Sequence, residues 1–328
     1  MDSVPGSVPR TISQPIADTI SRPTVSIVLK SVIEFCCSII RTRSMQICSI
    51  AIILFLLLNP NRSAYYSFLL LAAALWGLQH DTKVIPWQRF LGVGTPLLLF
   101  PVLMWQYFPP IWNEIVYWQL GAKAHILDLN NLFLALPGND GWMFRIVQTP
   151  WLTGFFRWIY ANGFTLPVLI PVIRSFFAKD SLKMIRYCLS AHVLQFILIF
   201  PFYLTINVKE VWYILGHPDG MARLLSAADA AVVVVNCFPS MHTSVAFAML
   251  LLAWREKDRL FRWTWSLFCL AIIFSTLYLE IHWVIDVIAG ILLAVVTVKL
   301  GDVIINFIAK RWGRQKSAGS ANDSSLAA

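Results

Sequence analysis

Two short stretches hold the residue types that covalent chemistry needs. Phe238-Pro239-Ser240-Met241-His242-Thr243-Ser244 opens one apolar run, and Ser275-Thr276 followed by His282-Trp283-Val284-Ile285-Asp286 joins two others. His282 and Asp286 are four residues apart, a spacing that predicts one helical face. A carboxylate there accepts the proton of one ring nitrogen. That fixes the tautomer, leaves the other nitrogen as a nucleophile and stabilises the cation formed on attack. His242 comes from a different helix and can give a proton to a departing oxygen. Pro239 and Ser240 predict a helix N-terminus at His242, where free N–H groups and the positive dipole end favour a phosphate. The Ser240 hydroxyl adds a donor. Nucleophile, orienting acid, proton donor and anion cradle together describe phosphoryl transfer through a phosphohistidine.

The elements that carry these residues follow from composition. Of 328 residues, 58% are hydrophobic and only 13% charged, about half the charged share of a soluble protein. The mean hydropathy is +0.68. A soluble domain of this size cannot hide so much apolar side chain, which excludes a cytosolic globule, a disordered chain and a fibrous repeat. A polytopic, all-α membrane protein fits, because lipid solvates the excess. The net charge of +9 suits basic residues beside membrane spans and anionic headgroups; no recognition motif points to nucleic acid. Six cysteines, Cys36, Cys37, Cys48, Cys188, Cys237 and Cys269, show no CxxC pair and read as small buried hydrophobes.

Residues 1–44 read as a cytosolic tail, disordered over 1–24, with an amphipathic interfacial helix near 25–40. The segment 45–107 holds apolar runs near 45–59, 64–79 and 90–107. Residues 108–162, rich in Pro, Trp and Tyr, predict short helices at the outer membrane surface. A catalytic core over 163–307 holds runs near 163–178, 184–206, 240–254, 263–281 and 283–307, and 308–328 is a second disordered cytosolic tail. These runs predict about eight transmembrane helices. Five turns on one side then carry sixteen basic residues, against six (Arg62, Lys123, Arg145, Arg157, Lys209 and Arg223) over longer loops on the other. The positive-inside rule places both termini in the cytoplasm and the two histidine motifs at the periplasmic, extracellular or lumenal face.

Each piece also has a plainer reading. A membrane histidine is often an interhelical hydrogen-bond partner. His-x-x-x-Asp can be two metal ligands. Pro-Ser before a helix is often only a cap. The shared order, spacing and membrane face of the set argue for the chemistry. Lys209 and Arg223, in the outer loop, are candidate phosphate clamps or else solvated loop charges. Asp128 borders a headgroup pocket or anchors the interface. His125, His192 and His217 have no evident partner, and Glu280 is expected to point away from His282 on the same helix.

Pro239-Ser240-Met241-His242, then Ser275 and His282-x-x-x-Asp286 about forty residues on, resembles the type 2 phosphatidic acid phosphatase superfamily over roughly 163–307. Phe-Pro-Ser-x-His in place of Pro-Ser-Gly-His resembles its inositol phosphorylceramide synthase, or aureobasidin-resistance, branch. The resemblance implies a helical core bundle and an enzyme that needs no metal or other cofactor. His282 would be the nucleophile, Asp286 its orienting partner and His242 the general acid, then base. Two departures stand out. The phosphatase pattern has Ser-Arg before the second histidine, where this chain has Thr276. Its upstream Lys-x6-Arg-Pro is also missing: Lys209 precedes His217-Pro218 at a spacing one residue too long and without the arginine. The expected reaction is transfer of a phospholipid headgroup to a lipid alcohol. Hydrolysis of a lipid phosphate, with water as acceptor, is the alternative. A transporter or scaffold is the rival of another class, but no internal repeat supports it.

Overall fold

The computed structural model describes residues 62–78, 81–121 and 127–325, without the side chains of 62–64 and 312–325. The expected span at 45–59, the interfacial helix at 25–40, Lys123 and His125 lie outside the described residues.

Helices account for nearly all of the architecture. They are α1 (Arg62–Trp76), α2 (Trp87–Gly121), α3 (Asn130–Ala135), α4 (Pro150–Ala161), α5 (Leu166–Phe177), α6 (Ser181–Cys188), α7 (Leu194–Thr205), α8 (Val211–Leu215), α9 (Ala227–Val233), α10 (Met241–Ala253), α11 (Arg259–Tyr278) and α12 (Val284–Ser325). A π turn, Leu189–Val193, fuses α6 and α7 into one 25-residue rod. A two-residue parallel pair, β1 (Leu127–Asp128) with β2 (Ile206–Asn207), ties the loop after α2 to the end of α7.

Among the described residues, four helices are long and apolar enough to cross a membrane: α2, the α6–α7 rod, α11 and α12. A fifth crossing arises if α4 and α5, bent by 60° to one another, count as one broken span. The expected eight are therefore not all present as full-length helices. The runs near 64–79 and 240–254 form α1 and α10, of 15 and 13 residues, shorter than the ~20 that a perpendicular span needs.

Two boundaries differ from the sequence expectation. Residues 108–121 continue α2 straight through Pro109 and Pro110 instead of opening a surface segment. Proline inside a membrane helix is tolerated because neighbouring groups satisfy the freed carbonyls. At the other end α12 runs on to Ser325, through the segment read as a tail.

The core centres on α10, which packs against both α11 and α12. Trp265, Phe261, Met249 and Ile272 are fully buried there. Gly290 makes a close approach of α12 to the start of α10 possible, since a Cβ at that position would sit 2.6 Å from the Ser240 carbonyl. Outward rows such as Leu267 on α11 and Leu292, Val303 and Phe307 on α12 stay exposed. Such rows suit contact with lipid, which solvates them without cost. At one end of the bundle, Arg174 pairs with Asp81 and Asp258, Lys183 with Glu256, and Lys83 with Asp180.

Candidate active site

Asp286 does two jobs at the start of α12. Its Oδ2 accepts a hydrogen bond from the Trp283 N–H at 2.9 Å, in the manner of a capping-box carboxylate. The same oxygen lies 3.5 Å from His282 Nδ1, long for a hydrogen bond but of the kind that tightens when substrate binds. His282 is thus not on the helix, as its spacing from Asp286 suggests. It sits two residues ahead, in a turn whose geometry is set by α11: the Ile281 and His282 N–H groups both donate to the Thr276 carbonyl at 3.1 Å. With Nδ1 facing Asp286, Nε2 is the ring nitrogen left for other chemistry.

Two further N–H groups of α12 are taken by a residue from the far side of the chain. Asn139 accepts from Val284 N through its carbonyl (2.8 Å) and from Ile285 N through Oδ1 (3.0 Å). Its Nδ2 donates to the Phe133 carbonyl. These bonds fix the register at which Asp286 meets His282.

His242 lies on the first turn of α10. Ser240 is its N-cap, with Oγ accepting from Thr243 N. The Ser240 N–H donates to the Asp286 carbonyl at 3.1 Å, so the two motifs are joined backbone to backbone. The His242 ring is clasped between Tyr160, with centroids 4.0 Å apart, and Phe164, at 3.7 Å. Tyr160 lies in the last turn of α4 and Phe164 in the bend before α5, which places an elbow over the histidine. A Cβ on Gly163, in that elbow, would stand 3.0 Å from the ring. His242 and His282 face one another with centroids 6.4 Å apart. Reacting atoms at ~3–3.5 Å on each side of a phosphorus would fill such a gap.

Both histidines line a cavity of about 340 Å³. Glu210, Arg223, Asn236 and Cys237 are also in its wall, and Trp105, Phe108 and Phe196 supply apolar surface from α2 and α7. Arg223 grips Glu210 at 2.5 and 3.3 Å, and Asp219 at 2.7 and 3.0 Å. The Trp212 indole N–H also donates to Glu210. Burial raises the Glu210 carboxyl above its ordinary range, against the pull of Arg223. Burial also pushes Asp219 upward, but Arg223 and two backbone N–H groups outweigh it and hold that carboxyl low. The two carboxylates in turn raise the Arg223 guanidinium, although burial alone would lower it.

Among the described residues the cavity wall includes neither Lys209 nor Ser240. The Lys209 ammonium lies 5.2 Å over the Tyr213 ring. Its backbone contributes instead, with N–H donating to Asn130 Oδ1 and the carbonyl accepting from Trp283 Nε1. Asp128 accepts from Asn130 and Asn207 in the loop that holds this corner. Glu280 is in a turn at φ +58°, not on a helix, and it has partners: Arg145 at 2.9 Å and His217 Nδ1 at 2.8 Å. The His192 ring stands edge-on to Phe100 and reaches the cavity wall. Thr276, where the phosphatase pattern has arginine, spends its hydroxyl on the Ile273 carbonyl.

Cys237, His282 and Asp286 offer three donor atoms within 4.8 Å of one another, a spacing that can hold a metal ion. Burial, then the Asp286 and Glu210 carboxylates, push the Cys237 thiol well up.

All these cavity groups except the α2 and α4–α5 residues fall between the π turn and the last third of α12. That segment, residues 190–310, matches the PAP2 superfamily. Members of the PAP2 superfamily are phosphatases or phosphotransferases acting on lipid phosphates, and this chain is an enzyme of that kind. With its apolar helices, it is an integral membrane protein. No curated protein and no solved structure matches the chain. The PAP2 match begins later than the sequence resemblance, and it leaves out Asn139, Tyr160 and Phe164, which complete the site from outside it.

Proposed function

We propose that the protein moves the phosphoryl headgroup of a phospholipid to a lipid alcohol through a phosphohistidine on His282, in the manner of an inositol phosphorylceramide synthase. The observation that carries this reading is the pair of facing histidines, one backed by Asp286, in a cavity with apolar walls inside the PAP2 segment. His282 Nε2 attacks phosphorus while Asp286 holds the Nδ1 proton. The bond from phosphorus to the donor's lipid oxygen breaks, and that oxygen leaves with a proton from His242. The acceptor hydroxyl then gives its proton to His242 and attacks phosphorus, and the P–N bond breaks to restore His282. Water in place of the alcohol would give hydrolysis instead. The loss of the phosphatase cations, with Thr276 turned inward to its own helix, supports the transferase branch. The basic side of the turns, opposite Lys209 and Arg223, supports a site on the non-cytoplasmic face.

Purified protein incubated with labelled phospholipids, with and without ceramide or diacylglycerol, tests the reaction by the products separated. Headgroup transfer is expected; release of the headgroup phosphate alone, or of inorganic phosphate from a lipid phosphomonoester, would replace transfer with hydrolysis. The division of roles is tested by the first-turnover burst. With a nitrophenol-type ester, whose leaving oxygen needs no proton, His242→Ala is expected to recover most of the ~10²–10⁴ that general acid catalysis supplies. His282→Ala recovers nothing with either substrate. Equal loss of the burst in both variants would overturn the assignment. Full activity after exhaustive chelation is expected, and loss restored by zinc or magnesium would favour a metal on His282 and Asp286.

A further inference from the structure

Asn236 lines the cavity with a side-chain amide that its own fold leaves unused at both polar atoms. It lies in the loop between α9 and α10 with φ at +69°, in the left-handed region where few residues other than glycine and asparagine settle. It is 8% exposed. Neither Oδ1 nor Nδ2 finds a hydrogen-bond partner among the described residues. Such a buried, unpaired amide is costly and calls for a ligand or a role. The strain has support on both sides. Val234 accepts from the Glu210 N–H at 2.9 Å, and the Cys237 N–H donates to the Val208 carbonyl at 3.2 Å. The loop therefore holds the side chain in place before anything binds.

The guanidinium of the wall is committed. Arg223 is held by Glu210 and Asp219, and those two carboxylates outnumber its single charge. A phosphoryl group entering between the histidines needs donors for its non-bridging oxygens, aimed in advance at the charge that develops there. We infer that Asn236 binds the phosphoryl group, its Nδ2–H donating to a non-bridging oxygen of the group held between His242 and His282. In this role a neutral amide takes the place of the cation missing at Thr276. The inference rests on the phosphotransfer reading of the same site, but it is tested apart from it.

Two variants separate the amide from the backbone. Asn236→Gly keeps the left-handed conformation at no strain and deletes the side chain. Asn236→Asp keeps the shape and replaces the donor by a carboxylate. The full-length protein, purified in detergent, is titrated calorimetrically with orthovanadate, a stand-in for the five-coordinate phosphorus. Wild type is expected to bind it, and both variants are expected to bind at least tenfold more weakly with an unchanged melting temperature. Turnover of lipid substrate is expected to fall ~10²–10³-fold in kcat, the loss typical of one such donor. Vanadate binding by Asn236→Gly equal to wild type overturns the assignment, as does absence of binding by wild type. Should Asn236→Gly melt early, the Asn236→Asp titration decides, and wild-type affinity there overturns it. Lipid turnover by wild type, measured separately, judges the phosphotransfer reading: a protein that binds vanadate through Asn236 but turns over no lipid phosphate would sink that reading alone.

Discussion

Arg174 and Arg223 are each gripped by two carboxylates, but at sites built for different ends. Arg174 is 3% exposed, pairs with Asp81 and Asp258 and also donates to the Ala74 carbonyl. Every group in that cluster faces another protein group across packed helices. Arg223 has a similar pair in Glu210 and Asp219, yet it borders a cavity and has an unpartnered amide as a neighbour in the wall. The first cluster joins α5 to the turns beside α1 and α11. The second leaves spare hydrogen-bonding capacity around an opening. The difference teaches that ion pairing says little about role until the surrounding space is counted.

Substitutions should separate the two. The largest effect belongs to the cavity: His282→Ala is expected to lower lipid turnover by ~10⁴-fold or more, as loss of a nucleophile does, with the melting temperature near wild type. Survival of more than a hundredth of the activity would break the contrast. Next, Arg174→Ala leaves Asp258 buried without its countercharge and Asp81 with only Lys183, at 3.9 Å, at a cost of about 3–5 kcal/mol, read as a marked fall in melting temperature. Arg223→Ala should melt closer to wild type at mildly acid pH, because Glu210, already raised by burial, takes up a proton. A folded-state pKa above the unfolded value means that protons are released on unfolding. The stability of Arg223→Ala should therefore fall as pH rises through that raised value. A melting temperature flat from the ordinary carboxylate range up to neutral pH would show that Glu210 finds another partner.

A smaller effect is expected at Asn139. Asn139→Ala strips Oδ1 from the Ile285 N–H and Nδ2 from the Phe133 carbonyl, costing about 1–3 kcal/mol for the group left unsatisfied. Turnover should drop with it, since Asp286 loses its fixed register. Unchanged kcat would mean that Trp283 and Asp286 hold the register by themselves. Smallest is Gly163→Ala, whose Cβ would press on His242 from 3.0 Å. A few-fold loss of kcat is expected, and none if the elbow between α4 and α5 yields.

Much of the site was legible in the sequence because motif spacing is local. Ser240 before His242 reads as a cap, and His282 four residues from Asp286 reads as a pair; both are within one helical turn of a boundary. The rest depends on long-range placement. Asn139 reaches α12 across more than 140 residues, and no periodicity announces a lone asparagine after Pro137-Gly138. Asn236 sits after four valines with nothing in its neighbours to mark it. Glu210 has no motif around it, and it joins the site only because the fold buries it beside Arg223. Each of the seven apolar runs from 64–79 onward falls mostly in a helix among the described residues, but their lengths were less legible. Proline suggested an end to α2 at 108 that the membrane setting does not require.

Trp105, on the apolar helix α2, belongs to the cavity wall and is also 53% exposed. The wall around the histidines is thus also part of the surface that meets lipid. A substrate anchored in the bilayer then reaches the histidines by travelling in two dimensions, without crossing water. Its effective abundance is its mole fraction among membrane lipids, not its amount per litre. Adding inert detergent at fixed substrate should slow the enzyme simply by spreading that substrate over more surface.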